Sequence, residues 1–346
     1  MFDIIIVTYN AKERLKKCIY SIEKYSKKSD YELTIVDNNS TDGTLAYLKK
    51  LDGRACIIET GRNGGFSYGA NIGLKNTRNK YLFLLDDDVE VADGWLEGLY
   101  SCMKGKGNVG IVGGKVVFSD NRIFSADFSV KRDMRLGFGE IDRGQRDYIK
   151  ESDSIPGPCW LMSRKAVQDV GYFDEAFFPC QYEDIDYCIR ARLAGYKIIY
   201  NGKVRIVHHH LYRNKNGSRK NKLIFLRKWK GAIDKFSLKC SSPENKALEK
   251  GMYFFQRRDY AAALKLFFKA RSFDKRFVEP YYMAIALYKK GFYEKAINEL
   301  KEALSIYPRN HRFGRRVHYY LWSSYKRMDL CRKAGIEARK LLRYVQ

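Results

Sequence analysis

Three adjacent carboxylates, Asp86, Asp87 and Asp88, are the residues of this sequence best suited to chemistry. They directly follow an apolar run, Tyr81–Leu85, that has the length and composition of a buried strand. In an extended chain Asp86 and Asp88 point the same way and Asp87 the other. One face then presents two hard oxygen donors of the kind that Mg²⁺ or Mn²⁺ prefers, and such a cation would offset the repulsion between the acids. On these residues alone, a solvated acidic loop is an equal alternative.

A second acidic group, which contains Glu183, Asp184 and Asp186, lies at the start of a helix predicted over 182–194. Adjacent residues at a helix start face different ways, so only one of Glu183 and Asp184 can be directed at a given substrate atom. A carboxylate in that position could act as a general base. The alternative, which suits Asp186 in particular, is that acids in a first helical turn only favour the helix dipole.

Alternating strands and helices are predicted to position these acids. Four strands are predicted over Phe2–Val7, Glu32–Val36, Ala55–Glu59 and Tyr81–Leu85. Helical segments are predicted between them, over 11–28, 44–51 and 66–76. This alternation predicts a parallel, doubly wound α/β sheet, in which ligands bind at the carboxyl ends of the strands. Those ends carry four polar segments: Thr8–Asn10, Asp37–Asn39, Gly61–Gly65 and Asp86–Asp88.

The pattern changes after residue 109, where short strands separated by polar turns predict antiparallel pairing up to residue 163. The charged segment 128–149 lacks a period and is interpreted as a long loop near the site. Helices are predicted over 164–171 and 182–194, and strands over 197–200 and 204–207. A basic segment follows, with a helix predicted around 222–236.

Length and charge divide the chain. Its 346 residues are enough for two domains. Residues 1–202 hold 29 Lys and Arg against 29 Asp and Glu, whereas residues 203–346 hold 36 against 11. We therefore predict a catalytic domain over 1–210, a basic linker over 211–243 and a helical domain over 244–346. The excess positive charge suggests an anionic partner or a need for solubility.

No apolar run is long enough to span a bilayer, and the N-terminus lacks the features of a secretory signal. A cytoplasmic location is expected, with peripheral attachment to the inner face of an anionic membrane as an option. The eight cysteines are scattered without a Cys-x-x-Cys pair, so free thiols are the default interpretation.

The tail repeats itself with a period of 33 residues. Gly251, Phe254, Ala263, Phe267 and Ala270 recur as Ala284, Leu287, Ala296, Leu300 and Ala303. The pattern resembles the tetratricopeptide repeat, in which small residues let two helices approach closely. A third, poorer copy contains Ala334, Ala338 and Leu341. Because so few repeats are barely stable alone, we expect them to pack against the catalytic domain or a second copy of the chain.

The first 210 residues resemble family 2 glycosyltransferases of the GT-A fold. The resemblance rests on five motifs in order: IIIVTYN at 4–10, IVDNNSTDGT at 35–44, RNGGFSYGANIGL at 62–74, LLDDDVEV at 84–91 and VGYFDEAFFPCQYEDIDYCIRARLAGYKI at 170–198. The resemblance implies a nucleotide-sugar donor and an enzyme that transfers its sugar by a single displacement with inversion. A divalent metal, Mn²⁺ or Mg²⁺, would stabilise the diphosphate leaving group.

The resemblance also implies roles for the acids. Asp88 is the expected direct metal ligand, with Asp86 nearer the ribose and Asp87 in a supporting position. Asp184, the second acid of the Glu183–Asp184 pair, is the expected base. Some relatives place a histidine after the last strand as a further ligand, and His208 is the candidate within the triplet 208–210. A structural or acceptor-side role is its alternative.

Donor contacts are implied at the other strand ends. Tyr9 would pack near the base, and Asp37 would accept a hydrogen bond from it, which favours a UDP-sugar and allows a dTDP-sugar. Further candidates share these strand ends or the segment PGPCW: Thr8, Asn10, Asn39, Arg62, Asn63 and Trp160. For Thr8 and Asn39 ordinary turn and cap chemistry is an equal alternative, and Trp160 could equally be a core residue.

The acceptor is less defined. Tetratricopeptide repeats commonly bind peptides or proteins, so a protein or peptide acceptor is favoured. An anionic glycan or a lipid-linked carrier is the alternative, and nucleic acid is not expected. A scaffold with an inactive transferase domain is a third hypothesis, against which the intact acids at 86–88 and 183–184 weigh. The sequence does not indicate which sugar is transferred.

Overall fold

The structure is a computed structural model. It describes residues 1–51, 53–130, 134–144, 146–209, 215–229, 231–233, 247, 250–251, 253–255, 257–273, 280–306 and 314–342. The chain forms two compact units, which we describe separately. The first contains the α/β sheet, and the second contains the helical repeats.

The N-terminal half of the sheet is built from alternating strands and helices, as the sequence predicts. Its elements are β1 (Phe2–Thr8), α1 (Lys12–Tyr25), β2 (Tyr31–Asp37), α2 (Thr44–Leu48), β3 (Cys56–Glu59), α3 (Gly65–Lys75) and β4 (Tyr81–Asp86). The four strands lie in the order β3–β2–β1–β4 and are all parallel. In this register Thr8 lies opposite Asp37, and Val7 lies opposite Asp86. The polar segments that follow β1, β2 and β4 therefore meet at one edge of the sheet.

The rest of the sheet is mixed. Its elements are β5 (Val89–Glu90), α4 (Trp95–Met103), β6 (Val109–Val117), β7 (Ile123–Ser125), β8 (Phe128–Ser129), β9 (Met134–Arg135), β10 (Ile149–Glu151), β11 (Cys159–Ser163), α5 (Arg164–Val170), α6 (Glu183–Leu193), β12 (Lys197–His208) and α7 (Lys215–Trp229). Strand β11 joins the halves, because it pairs antiparallel with both β4 and β6. Strand β12 lies parallel to β6, and β10 and β5 pair antiparallel with it.

Helices cover both faces of the sheet, as expected of a doubly wound fold. Apolar residues of α1, α2 and α4, such as Leu15, Leu48 and Leu99, form one core with the sheet. Residues of α3, α5 and α6, such as Leu74, Val167 and Tyr187, form the other. The acids thus lie at the carboxyl end of β4, in a sheet that has helices packed against both faces.

The structure corrects three details of the prediction. The two strands expected over 197–200 and 204–207 are one strand, β12, with an irregularity in its pairing between Asn201 and Arg205. The loop expected over 128–149 contains the small β8–β9 pair. Helix α7 begins before the predicted residue 222 and ends before the predicted residue 236. Residues 210–214 and 234–246 lie outside the described residues.

The second unit consists of helices stacked in pairs. They are α8 (Tyr260–Phe273), α9 (Pro280–Lys289), α10 (Tyr293–Ile306), α11 (Gly314–Arg327) and α12 (Cys331–Leu342). The small and apolar repeat positions predicted to lie between helices are buried: Ala263, Phe267, Ala270, Ala284, Leu287, Ala296, Leu300, Ala303 and Ala334. A side chain at Gly251 would begin 2.6 Å from the ring of Phe267, so a glycine permits this close approach. Among the described residues, no helix is both long and apolar enough to span a membrane.

Candidate active site

Asp86, Asp88 and His208 form a compact cluster at the end of β4. The chain turns after Asp86, and β5 then pairs with the last residues of β12, which sets His208 opposite Val89. The backbone N–H of His209 also donates to the carbonyl of Asp88, at 2.8 Å. As a result, Nε2 of His208 lies 2.9 Å from Oδ1 of Asp88 and 3.7 Å from Oδ2 of Asp86.

Asp87 points away from this cluster, although residues 87 and 88 form a turn and not the extended chain assumed from the sequence. Its Oδ2 accepts hydrogen bonds from the hydroxyl of Thr8 at 2.8 Å and from the backbone N–H of Tyr9 at 3.2 Å. Asp87 therefore ties the end of β4 to the end of β1. Thr8 is buried and serves this link, whereas Tyr9 is 42% exposed at the strand end.

Burial and neighbouring charge raise the pKa values of two of these acids. Burial, with a further contribution from the charge of Asp88, raises the pKa of Asp86 to about 7. Burial and Asp88 likewise raise the pKa of Asp87 to about 6, against the hydrogen bond from Thr8. Burial alone would lower the pKa of His208, but its hydrogen bond to Asp88 and the charges of Asp88 and Asp86 together outweigh that effect and raise the pKa.

The cluster fits a hard divalent cation. One ligand atom each from Asp86, Asp88 and His208 lies within 4.8 Å of the others. Carboxylate oxygen and imidazole nitrogen are suitable donors for Mn²⁺, and the carboxylates also suit Mg²⁺. A bound cation would relieve the repulsion that raises the pKa values of the acids.

The second acid group lies at the start of α6, with the two carboxylates in different surroundings. Glu183 is buried, and its Oε2 has no hydrogen-bond partner among the described residues. Burial therefore raises the pKa of Glu183 well above its ordinary value, and the charge of Asp184 adds to this. Burial also raises the pKa of Asp184, but backbone N–H groups of Ile185 at 2.8 Å and Gly157 at 3.3 Å donate to its carboxylate. Of the two acids, Asp184 is the better stabilised anion.

One tight turn links the two acid groups. The carbonyl of Pro158 accepts a hydrogen bond from the backbone N–H of Asp86 at 3.0 Å. The preceding residue, Gly157, donates to Asp184, and a side chain there would begin 3.2 Å from Cβ of Asp184. The cluster and Asp184 are thus held by adjacent residues of the same turn.

The residues predicted to contact the nucleotide lie at the ends of β1, β2 and β3. Asp37 is fully buried, and both its oxygens accept hydrogen bonds from Ser40, at 3.0 Å from the backbone N–H and 2.5 Å from the hydroxyl. Asn10 accepts a hydrogen bond from the backbone N–H of Thr41 at 2.7 Å. Asn10 and Asn39 both have left-handed backbone conformations, with φ values of 49° and 64°. The structure thus places these polar residues in the two turns that frame the strand ends.

Two further candidates lie in the glycine-rich turn before α3. Arg62 is exposed, and its guanidinium lies 4.5 Å from the centre of the Tyr68 ring. Asn63 accepts a hydrogen bond from the backbone N–H of Gly65 at 3.0 Å. Arg62 is therefore accessible to a donor, whereas Asn63 shapes the turn.

Trp160 does not lie at the surface of the site. It is 1% exposed within the core and packs against the rings of Phe173 and Tyr187. Its indole N–H donates to the carbonyl of Pro156 at 2.7 Å. Trp160 therefore supports the Pro156–Pro158 turn from inside, which is the core role that the sequence left open and not a donor-packing role.

The structure also reveals basic residues that the sequence did not single out. A cavity of about 360 Å³ beside His208 is lined by Arg14 and Lys17 of α1, with Phe118, Ser119 and His209 among its other residues. A separate cation, Arg135, stacks over Phe124 at 4.3 Å, and that ring meets His208 edge-on at 5.2 Å. The spacing of Arg14 and Lys17, which places both on one face of α1, is a signal that could have been found. Arg135 lies in the aperiodic segment, which gave no signal.

Comparison with known proteins identifies the first unit. Residues 3–171 match the family model described as glycosyl transferase family 2. The chain carries a family 2 glycosyltransferase domain. Residues 281–310 match the tetratricopeptide repeat model, so the repeat prediction is confirmed there. The family 2 match ends before Glu183, Asp184 and His208, and the roles of these residues, like those of the candidates within the match, stay predictions.

Two curated relatives are named as sugar transferases. The low-salt glycan biosynthesis hexosyltransferase Agl10 of Haloferax volcanii is 25% identical over 55% of this chain and 61% of its own. The poly(ribitol-phosphate) beta-N-acetylglucosaminyltransferase TarP of Staphylococcus aureus is 36% identical over 32% of this chain and 35% of its own. Two other relatives are much longer, and the matched region covers only 24% and 17% of their lengths.

A solved structure supports the fold. GalNAc-T7 with UDP, GalNAc and Mn²⁺ superimposes with a TM-score of 0.55 at 16% sequence identity, over 68% of this chain and 49% of that protein. At this identity the likeness shows the fold alone. It confirms the predicted GT-A type of α/β domain.

Proposed function

We propose that this glycosyltransferase moves a sugar from a nucleotide-sugar donor to an acceptor hydroxyl in one metal-dependent step with inversion. The observation that carries the proposal is the link between the two acid groups. The Gly157–Pro158 turn bonds to the backbone of Asp86 on one side and to the carboxylate of Asp184 on the other. This short segment thereby holds the candidate metal ligands on one side and the candidate base on the other.

In this proposal Asp86, Asp88 and His208 would hold Mn²⁺ or Mg²⁺, which would supply positive charge to the diphosphate leaving group. Asp184 accepts the proton of the acceptor hydroxyl as its oxygen attacks the anomeric carbon. The bond from that carbon to the phosphate oxygen breaks, and the electron pair leaves with the nucleoside diphosphate. Glu183, a buried carboxyl whose pKa burial raises well above its ordinary value, lies beside Asp184 and supports it.

The donor is proposed to be a UDP-sugar, with a dTDP-sugar as the second choice. Tyr9 is exposed at the end of β1, beside Asp37, and offers a ring against which a base can pack. Asp37 has both oxygens within hydrogen-bond distance of Ser40 but retains lone pairs for a base N–H. Arg62 is the accessible cation on this side, while Arg14 and Lys17 line the cavity on the other.

For the acceptor, the relatives shift the preference from a protein to an anionic glycan chain. Both relatives described above have names that refer to glycan or poly(ribitol-phosphate) substrates. The concentration of positive charge in residues 203–346 suits such a polymer. A protein or peptide acceptor is the second candidate, and the tetratricopeptide match at 281–310 favours it. Contact with an anionic membrane and pairing of copies through the repeats stay predictions.

A panel of nucleotide sugars tests this proposal. The full chain is incubated with Mn²⁺ or Mg²⁺ and each UDP- and dTDP-sugar, and release of nucleoside diphosphate is measured with and without candidate acceptors. We expect release with at least one uridine or thymidine donor, faster when acceptor is present. If no uridine or thymidine donor releases nucleoside diphosphate, the donor assignment is contradicted. A biological role that persists in an Asp88→Ala variant would favour the inactive scaffold instead.

A further inference from the structure

Helix α7 packs on the helix that carries the predicted base. Phe225 and Trp229, four residues apart on α7, are buried against Ile185 and Ile189 of α6 and against Phe177. The rings of Phe225 and Tyr182 lie 5.3 Å apart. This helix falls in the segment predicted to be a linker, and beyond the family match that ends at residue 171. The structure instead makes it part of the surroundings of α6.

One polar side chain of α7, Asn221, is completely buried in this contact. Its amide nitrogen donates to two successive backbone carbonyls, of Cys180 at 2.8 Å and of Gln181 at 3.1 Å. These carbonyls lie in the segment that leads directly into Glu183 and Asp184. A buried amide that makes two hydrogen bonds to one turn restricts the path of that turn.

The turn needs such restraint because its backbone is unfavourable. Gln181 and Tyr182 have φ values of 84° and 74°, in the left-handed region that residues other than glycine rarely adopt. Two successive residues in this region persist only where the surroundings impose them. On the opposite side, the carbonyl of Pro179 accepts a hydrogen bond from the backbone N–H of Phe66 at 2.8 Å. The turn is thus held between the start of α3 and Asn221.

A second anchor lies one step further along α6. Asp186 is fully buried, and its Oδ1 accepts hydrogen bonds from the indole of Trp229 and from Lys228, both at 2.9 Å. Its Oδ2 accepts one from Arg190, also at 2.9 Å. Asp186 therefore does more than favour the helix dipole, because it fastens the first turn of α6 to the end of α7.

We propose that Asn221 is a positioning residue that, together with the Trp229–Asp186 contact, sets the direction in which Asp184 faces the acceptor. The effect acts through the backbone of Gln181 and Tyr182, which Asn221 holds in the left-handed conformation. This inference rests on the proposed function, in which Asp184 is the base. It predicts that loss of the Asn221 donor slows the transfer step while the metal cluster and nucleotide binding stay intact.

The test compares Asn221→Ala and Asn221→Asp with Leu223→Ala, a matched control at an exposed position of the same helix. Asn221→Asp keeps the volume but sets a carboxylate oxygen against the two carbonyls. In the full chain, amide hydrogen exchange of residues 180–186 should accelerate about tenfold or more in both Asn221 variants and stay unchanged in the control. The rate constant kcat should fall about tenfold or more, while the Kd for UDP with Mn²⁺ stays within about twofold.

Trp229→Phe keeps the aromatic packing but removes the indole donor to Asp186. It should lower kcat to a smaller degree, again with little change in the Kd for UDP with Mn²⁺. Unchanged exchange in residues 180–186 of Asn221→Asp would overturn the inference, whatever the activity. So would a loss of UDP binding as large as the loss of kcat, because that result indicates general unfolding. If the unaltered enzyme transfers no sugar but exchange accelerates as expected, the proposed function fails and the restraint of the turn by Asn221 stands.

Discussion

Mn²⁺ should bind the Asp86–Asp88–His208 cluster about tenfold to 100-fold more weakly at pH 6 than at pH 8. The reason is that protons compete for the same atoms. With a pKa of about 7, Asp86 is mostly protonated at pH 6 and mostly ionised at pH 8. This group alone accounts for a factor of about ten, which corresponds to about 1.4 kcal/mol.

His208 contributes the rest of the expected range. Its hydrogen bond to Asp88 raises its pKa, so at pH 6 it too must lose a proton before it can bind a cation. The sign is the same for both groups, because binding releases protons and strengthens as the pH rises through their pKa values. An aspartate with an ordinary pKa near 3.8 would give no change over this interval.

Isothermal titration of Mn²⁺ into the full chain at pH 6, 7 and 8, at constant ionic strength, measures this dependence. His208→Gln should reduce the change to about tenfold, since binding must still displace the proton of Asp86 but no longer that of His208. Asp93→Asn, which alters an exposed acid beyond β5, should behave like the unaltered protein. Binding that is equally strong at pH 6 and pH 8 would refute the reasoning that burial and mutual repulsion hold protons on the cluster.

Three other predictions follow from the structure. Arg14→Gln should raise KM for the donor several-fold, because it removes a cation from the cavity beside His208. Lys16→Gln, on the same helix, is the control. Equal donor KM values for the two variants would contradict this role of Arg14. Gly251→Ala should lower the free energy of unfolding by about 1 kcal/mol, because the new side chain would begin 2.6 Å from Phe267. Gly335→Ala, in open space on α12, should raise the free energy of unfolding slightly. Thermal melting measures both variants, and shifts of the same sign would count against the repeat packing. If the acceptor is an anionic glycan, its KM should rise between 50 and 300 mM salt while that of the donor changes little, and a salt-independent acceptor KM would favour an uncharged one.

Much of the first unit could be predicted from the sequence because its signals are local. The apolar runs of β1, β2, β3 and β4 are each closed by polar residues, which marks both the strands and their carboxyl ends. The structure separates Asp87 from Asp86 and Asp88, as the sequence predicts, but it does so through a turn at residues 87 and 88 and not by strand alternation. The repeat positions were equally visible, because a period can be found without knowledge of contacts.

The parts that the sequence did not indicate depend on distant pairing. The single strand β12 and its short partner β5 are defined by contacts across more than a hundred residues, and the pairing itself brings His208 to Asp88. For α7 the sequence predicts a helix, around 222–236, but assigns it to a basic linker because charged residues dominate its composition. Its buried face has only a few residues, among them Asn221, Phe225 and Trp229, and a polar residue at one of these positions weakens the apolar pattern.

For Trp160 the sequence leaves donor packing and a core role equally open. Its place in β11, between β4 and β6, buries it in the core. Sequence proximity to a site does not fix the side of the strand on which a residue lies. That side depends on the register of pairing.

The rate of sugar transfer by Asp184→Asn tests the central claim most directly. With a donor and acceptor identified by the panel, initial rates of this variant are compared with those of the unaltered enzyme and of Asp93→Asn, each saturated with Mn²⁺. If Asp184 is the base, its loss should slow transfer by about 10² to 10⁴-fold, while the Kd for UDP with Mn²⁺ is unchanged. Transfer by Asp184→Asn at a rate within about threefold of the unaltered enzyme would contradict the account.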